Sequence, residues 1–437
     1  MNISTKVNWK GKIVSIQPRT RVWRNLIQLL VKEEFKTATD IFDAEMGKQL
    51  SADKLGEIWG QLKSQVGAYQ KEISRKQEVT NGYDVIIATT QFKKAPLNIR
   101  IVFNSDKQIS GLFFQPAESA NAGKYELPAY VKMDQIVEED IVIGEGDWAL
   151  PGTLTFPLGE GQWPMIILVH GSGPNDRDET IGPNKPFKDL ALGLASRGIG
   201  VLRYDKRTLV HGQKIATKGE ITVWEETIDD VIVAISLLKD LKKVDKKHIY
   251  ILGHSLGGML APRIALQTND LAGMIIMAGA ARPLEDLIVE QKKYIAELDG
   301  TISDSEKADY TKAERLAQKV KDTFLDANTP SAELMGLPAE YWLDLQGYQP
   351  VEVAKRLDLP MLIIQGERDY QVTMEDYRIW RCGLQGKKGV SFKSFPSLNH
   401  LMMAGFSSGL SRPEEYQRAD HLAVEVIDSI VEFIIER

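Results

Sequence analysis

From about residue 131 onward, continuous apolar runs alternate with stretches in which apolar residues recur every three or four positions. Met165 to Val169, Ile199 to Leu202, Ile249 to Leu252, Met274 to Met277 and Met361 to Ile364 have the length of strands buried on both faces, the grammar of a mostly parallel sheet. Between two of them, Thr222 and Glu225 have capping-box spacing, and Ile228, Val231, Ile232, Ile235 and Leu238 then mark the inner face of a crossover helix. Ile136 to Ile143 and Gly152 to Phe156 predict antiparallel lead-in strands, Val390 to Phe395 the last core strand, and residues 413–436 a final helix. The alternation stops between Ala281 and Pro360, where polar, helix-prone residues separate two core strands that a short crossover could have joined. This predicts a helical cap at about 281–360, with a decorative pair of surface helices as the alternative.

The earlier part of the chain follows a different pattern. Val22, Trp23, Leu26, Ile27, Leu30 and Val31 recur at helical spacing, and Ser51 caps a second run carrying Leu55, Ile58, Trp59 and Leu62. Segments at Tyr69 to Val79, Tyr83 to Thr90, Leu97 to Phe103 and Ile109 to Phe114 then predict a meander, broken at Asn81-Gly82, Lys94 to Pro96 and Ser105-Asp106. The expected organisation is a small α+β domain over 1–116, an Ala-, Gly- and Pro-rich linker over 117–130, and an α/β domain over 131–437.

Composition narrows the classes. A chain of 437 residues is long for one compact core, and 43% hydrophobic with 26% charged residues is ordinary globular usage. Lys and Arg number 54 against 60 Asp and Glu, with no long basic run, so neither nucleic acid nor a membrane surface is an expected partner. Cys382 is the sole cysteine, which removes a disulfide framework and predicts a buried free thiol. The first residues lack the apolar run of a signal peptide, and no stretch has the length of a membrane-spanning helix. A cytoplasmic location is expected, although a chain whose leader had been removed would read the same.

The chemistry concentrates in Gly253-His254-Ser255-Leu256-Gly257, a G-x-S-x-G sequence between a predicted strand and a helix-competent stretch, Gly258 to Gln267. That context is the one a nucleophile elbow requires, with Gly253 and Gly257 needed because side chains there would collide with neighbouring backbone. A serine hydroxyl needs a base and an acid. Asp369 follows the strand Met361 to Ile364, and His400 follows Val390 to Phe395, so the candidate nucleophile, acid and base occur in the order serine, aspartate, histidine, each after a predicted core strand. His254 is read as the variable residue of the elbow, while His248 begins a strand, His211 lies in a Lys- and Gly-rich loop and His421 falls in the final helix. None has metal-ligand spacing, so no metal is expected. His170-Gly171-Ser172-Gly173-Pro174 follows the strand ending at Val169 and supplies candidate oxyanion donors. Ser172 is the first choice and Gly173 the alternate, with the Leu256 N–H as the second donor.

Together with P-G-T-L-T-F-P at 151–157, H-G-S-G-P-N-D-R-D at 170–178 and Y-D-K-R at 204–207, these residues resemble the α/β-hydrolase superfamily. The resemblance is to bacterial carboxylesterases of the dienelactone hydrolase and serine aminopeptidase-like branch, and covers about 131–437. Residues 20–116 resemble a small N-terminal domain of unknown function with a cone-like α+β pattern. The resemblance implies an α/β-hydrolase fold with a helical cap, hydrolysis of short-chain esters through Ser255, Asp369 and His400, and no cofactor. It also implies that Asp176, Arg177, Asp178, Asp205 and Arg207 form structural ion pairs. An aminopeptidase, a thioesterase or an acyltransferase would keep the same triad, and a non-catalytic binding module is the remote alternative. Association of identical chains through the N-terminal domain or the cap is a further expectation.

Overall fold

A computed structural model describes residues 19–80, 83–93, 96–116, 125–219 and 221–436. The Asn81-Gly82 turn, Lys94 and Ala95, and the linker as far as residue 124 lie outside the described residues. The chain separates into two compact units, Met1–Ala122 and Gly123–Arg437.

In the first unit, β1 (Tyr69–Thr80), β2 (Tyr83–Phe92), β3 (Pro96–Phe103) and β4 (Ile109–Pro116) form an antiparallel meander in sequence order. The alternation in β3 sends Leu97, Ile99, Ile101 and Phe103 into the core, where Leu26, Leu30, Leu55 and Trp59 of the helices meet them. Ser51 caps the helix Ala52–Val66 by accepting from the Lys54 N–H.

The second unit is built on an eight-stranded sheet: β5 (Ile136–Ile143), β6 (Leu150–Pro157), β7 (Trp163–Val169), β8 (Gly200–Tyr204), β9 (Val244–His254), β10 (Gly273–Met277), β11 (Met361–Gly366) and β12 (Val390–Phe395). The spatial order is β12-β11-β10-β9-β7-β8-β6-β5. β5 and β6 are antiparallel, whereas β8, β7, β9, β10, β11 and β12 run parallel. The uninterrupted apolar runs divide between two faces. Ile167, Val169, Ile249 and Ile251 pack with Val231, Ile235, Leu260 and Ile264, while Ile166, Leu168 and Leu252 pack with Leu190, Leu194, Val426 and Ile430. A sheet covered on both sides leaves its strand ends as the place for a ligand.

Between β10 and β11 lie helices Leu284–Glu297, Asp304–Val320, Ala339–Leu345 and Pro350–Arg356. Val320, Leu334, Ala339 and Trp342 form a small core of their own, whereas Val351 and Ala354 belong to the main core. Two expectations need correction. Cys382 is exposed, because the helix Met374–Gly383 turns Tyr377 and Trp380 inward and Cys382 outward. The final helix spans Val424–Ile435, and His421 precedes it, because Asp420 N–H and Leu422 N–H are drawn to Asn184 and Asp189 instead of an intrahelical carbonyl.

Candidate active site

The predicted site residues lie at the carboxyl edge of the parallel strands, on loops after β7, β9, β11 and β12: Ser172, Gly173, Ser255 and Leu256 share one cavity, and Asp369 and His400 form a buried pair. Ser255 occupies the turn from β9 into the helix Leu256–Ala265 with φ 53° and ψ −115°, a conformation that side-chain-bearing residues rarely adopt. Its N–H donates to the Met277 carbonyl at 3.0 Å. A Cβ at Gly253 would lie 2.2 Å from the Gly257 oxygen, and one at Gly257 would lie 2.3 Å from the Val169 oxygen. The turn therefore closes only with glycine at both places. Leu256 opens the helix, so its N–H is a first-turn donor without an intrahelical acceptor, at the positive end of the helix dipole.

Asp369 and His400 are both buried, and His400 Nδ1 donates to Asp369 Oδ2 at 2.6 Å. A carboxylate there fixes the proton on Nδ1 and leaves Nε2 as the acceptor. Asp369 is itself held: Oδ1 accepts from the N–H groups of Gln371 at 2.7 Å and Val372 at 3.0 Å, and Oδ2 from Gln365 Nε2 at 3.2 Å. The His400 loop is fixed by Asn399, whose Oδ1 accepts from the N–H groups of Leu401 at 3.0 Å and Met403 at 3.2 Å.

Ser255, Leu256, Ser172 and Gly173 line one cavity of about 640 Å³. Its walls include Ile215, Ile221 and Met259, together with Leu284, Leu287, Ile288 and Leu337 from the segment between β10 and β11. The Gly171 N–H is already taken by Glu179 Oε1 at 2.8 Å, so it is not free for an oxyanion. The Gly171 carbonyl accepts from Lys206 Nζ at 2.8 Å and Asn175 Nδ2 at 3.2 Å. Because a peptide unit is planar and trans, anchoring that carbonyl orients the Ser172 N–H to the opposite side.

Sequence reasoning missed several supporting groups. Lys206 also pairs with Glu226, and Tyr341 donates to Glu226 Oε2 at 2.7 Å, which joins the loop after β7 to the segment after β10. Burial and the adjoining carboxylate push the Tyr341 phenol well above its ordinary value, so it remains the donor. The signals were a lysine inside Y-D-K-R and a glutamate following H-G-S-G-P-N-D-R-D. His254, read as a variable position, is buried between Glu179 and the His400 main chain. Of the ion-pairing residues, Arg177 holds Asp205 at 2.9 Å, Lys185 holds Asp178 at 3.0 Å, and Arg207 Nε meets Asp230 at 3.1 Å. Asp176, expected in an ion pair, instead accepts from the Thr180 hydroxyl at 2.7 Å and N–H at 2.9 Å. His421 Nδ1 lies 3.3 Å from Asp189, on another part of the fold. Among the described residues no three His, Cys, Asp or Glu side chains are grouped to hold a metal ion, and no helix is long and apolar enough to cross a membrane.

A strand-to-helix serine and a buried His-Asp pair on neighbouring loops of a mostly parallel sheet covered by helices define a serine hydrolase of the α/β-hydrolase fold. The chain belongs to the family described as serine aminopeptidase, S33, whose family model matches residues 166–404. Residues 24–112 match a second family, described as a protein of unknown function, DUF3887. The chain is 38% identical over 410 residues to esterase EstD of Thermotoga maritima, with 94% of each chain covered. Among solved structures, it is similar to Est1E of Butyrivibrio proteoclasticus, 17% identical with a TM-score of 0.43, covering 68% of this chain and 98% of that one. An esterase of Pyrococcus furiosus is 14% identical with a TM-score of 0.42, covering 72% of this chain and 98% of that one.

Proposed function

We propose that the chain is a serine carboxylesterase acting on short-chain carboxylic esters. Ser255 Oγ attacks the ester carbonyl as His400 Nε2 takes its proton, and Asp369 holds the imidazole and balances the charge it acquires. The N–H groups of Leu256 and Ser172, with Gly173 as the alternate to Ser172, receive the oxyanion. His400 returns the proton to the leaving alcohol, and a water activated by the same imidazole then releases the acid from Ser255. The scheme needs no cofactor.

Two observations support this reading, the 2.6 Å contact of Asp369 with His400 and the strained strand-to-helix turn that holds Ser255. Clamping of the Gly171 carbonyl supports Ser172 over Gly173 as the oxyanion donor. The esterase relative supports an alcohol as leaving group, although the same groups could expel an amine. The experiment is a panel of p-nitrophenyl esters of graded acyl length, acyl thioesters and aminoacyl p-nitroanilides. Preference for short-chain esters is expected; preference for the anilides would make the chain an aminopeptidase with the same triad.

The division into 1–116, a 117–130 linker and a catalytic 131–437 with a cap at about 281–360 belongs to this proposal, with the N-terminal unit modulating a site to which it supplies no catalytic group. Association of copies through that unit or the cap is proposed as well, and sedimentation equilibrium tests it. A cytoplasmic location is proposed on the strength of the single cysteine, and cell fractionation tests it.

A further inference from the structure

Two buried charged groups beside Ser255 have no part in the scheme above. Glu179 is 1% exposed and His254 2% exposed, and they form an ion pair with Oε2 2.8 Å from Nδ1. Glu179 adopts φ 51°, in the left-handed region where a residue other than glycine persists only if its surroundings impose it. What imposes it is a chain of contacts. Glu179 Oε1 accepts from the Gly171 N–H at 2.8 Å, and His254 Nε2 lies 3.0 Å from the main-chain oxygen of His400. His254 Nε2 thus faces a carbonyl, which can only accept, while Nδ1 lies at ion-pair distance from a carboxylate whose charge favours a second proton on the ring.

We propose that Glu179 and His254 are positioning residues: a buried carboxylate–imidazolium bridge that locks the oxyanion loop at Gly171 to the loop carrying His400. The proposal rests on the assignment of Ser255, Asp369 and His400 given above. The bridge runs from the peptide preceding the Ser172 donor, through Glu179 and His254, to the backbone of the general base. His254 is also the residue before Ser255, so nucleophile, base and oxyanion donor share one rigid frame.

The titratable groups facing the pair are His400 and Asp369 on the His254 side and His170 on the Glu179 side. Burial works against a charged His254, yet the Glu179 carboxylate outweighs it and holds the imidazole above its ordinary value. Burial likewise works against a charged Glu179, and His254 with the Gly171 N–H holds the carboxyl below its usual range. His170 takes no charge near neutrality, because burial lowers it to about 4. The His254 and His400 rings are 4.6 Å apart between centroids, so a charge on the first lies within direct electrostatic reach of the second.

The test begins with the wild-type chain labelled with nitrogen-15. Two ring N–H resonances that persist from about pH 6 to 9 and vanish in His254→Asn are expected for a fixed imidazolium; a single ring proton on His254 would overturn the proposal. Glu179→Gln keeps an acceptor for Gly171 but removes the charge. It should lower kcat by about 10- to 100-fold with KM within about two-fold, since misplaced groups act on the transition state. The acid limb of its kcat/KM profile should move to higher pH. Wild-type kcat and an unmoved limb would overturn the proposal, and so would lost activity with an unmoved limb, which marks a merely structural role. Should Glu179→Gln not fold, His254→Gln decides, because its amide can still donate to the His400 carbonyl without charge: the limb should move, and an unmoved limb refutes the bridge. Fluorophosphonate labelling of wild-type Ser255 separates the two levels, since a chain that fails to label there loses the triad assignment and not merely the bridge.

Discussion

Lys206 Nζ lies 2.8 Å from the carbonyl oxygen of Gly171, the oxygen that shares a peptide plane with the Ser172 N–H. The contact fixes the proposed oxyanion donor from behind, and the Lys206–Glu226 pair in turn fixes the contact. Lys206→Met should therefore lower kcat by about 10- to 100-fold through misalignment. It should also cost on the order of 3–5 kcal/mol of stability, because Glu226 is left buried beside Tyr341 without its cation. The double variant Lys206→Met/Glu226→Gln should recover much of the thermal midpoint but not kcat. Calorimetry and steady-state kinetics on the two proteins check both halves.

Asp369 and Asp376 are both fully buried carboxylates just beyond β11, and the structure gives them different tasks. Asp369→Asn should keep the fold and lower kcat by on the order of 10⁴, through loss of the tautomer that presents Nε2 to Ser255. Asp376 accepts from the Ala281 N–H at 2.9 Å and the Arg282 N–H at 3.0 Å, and pairs with the Arg282 guanidinium at 2.7 Å. Asp376→Asn should lower the thermal midpoint and leave kcat within about ten-fold. Circular dichroism melts and ester turnover separate the two outcomes, and the opposite pattern would move the acid to Asp376.

His170 gives a pH dependence of stability with a definite sign. Burial depresses its folded-state value to about 4, against roughly 6.5 for an unfolded histidine. Its contribution is complete above the unfolded value and is lost as pH falls through the window down to the folded one, because the unfolded chain binds the proton first. The loss should be on the order of 3 kcal/mol at the acid end of that window. Glu179, whose carboxyl is lowered, acts in the same direction, whereas His254, which is raised, contributes stability that is lost as pH rises. Thermal midpoints measured from about pH 7 to 4 should fall, and less steeply in His170→Asn.

The strands were legible because parallel strands buried on both faces leave uninterrupted apolar runs, and β7, β9, β10 and β11 fall on those runs. The elbow was legible for a steric reason, since the Gly257 position tolerates no Cβ. What the sequence hid depends on packing between distant segments. Nothing in the order of residues brings Glu179 to His254, or Tyr341 to Glu226, because those contacts exist only once the sheet has stacked β7 beside β9 and the helices after β10 have folded back. Cys382 was misplaced by reading residue type in place of helical register, although Trp380 two positions earlier marks the inner face. His421 was misplaced because tertiary bonds from Asn184 and Asp189 end the helical pattern before Val424.

The N-terminal unit has its own core, with Trp59 against Phe92 at 5.8 Å between ring centroids. A chain beginning at Gly123 should therefore fold, label with a fluorophosphonate probe and turn over a small activated ester. Its stability, association state or preference for large substrates can change without affecting that expectation. A folded, monodisperse truncation that does not label would show that residues before Gly123 complete the site.

Labelling of the full chain with a fluorophosphonate, followed by peptide mass mapping and ester turnover in Ser255→Ala, tests the central claim most directly. The account predicts one adduct per chain, on the peptide containing Ser255, and in Ser255→Ala no adduct and no measurable turnover, with the thermal midpoint nearly unchanged. An adduct on another serine, or a folded Ser255→Ala protein that keeps more than about a few per cent of the wild-type rate, would contradict it.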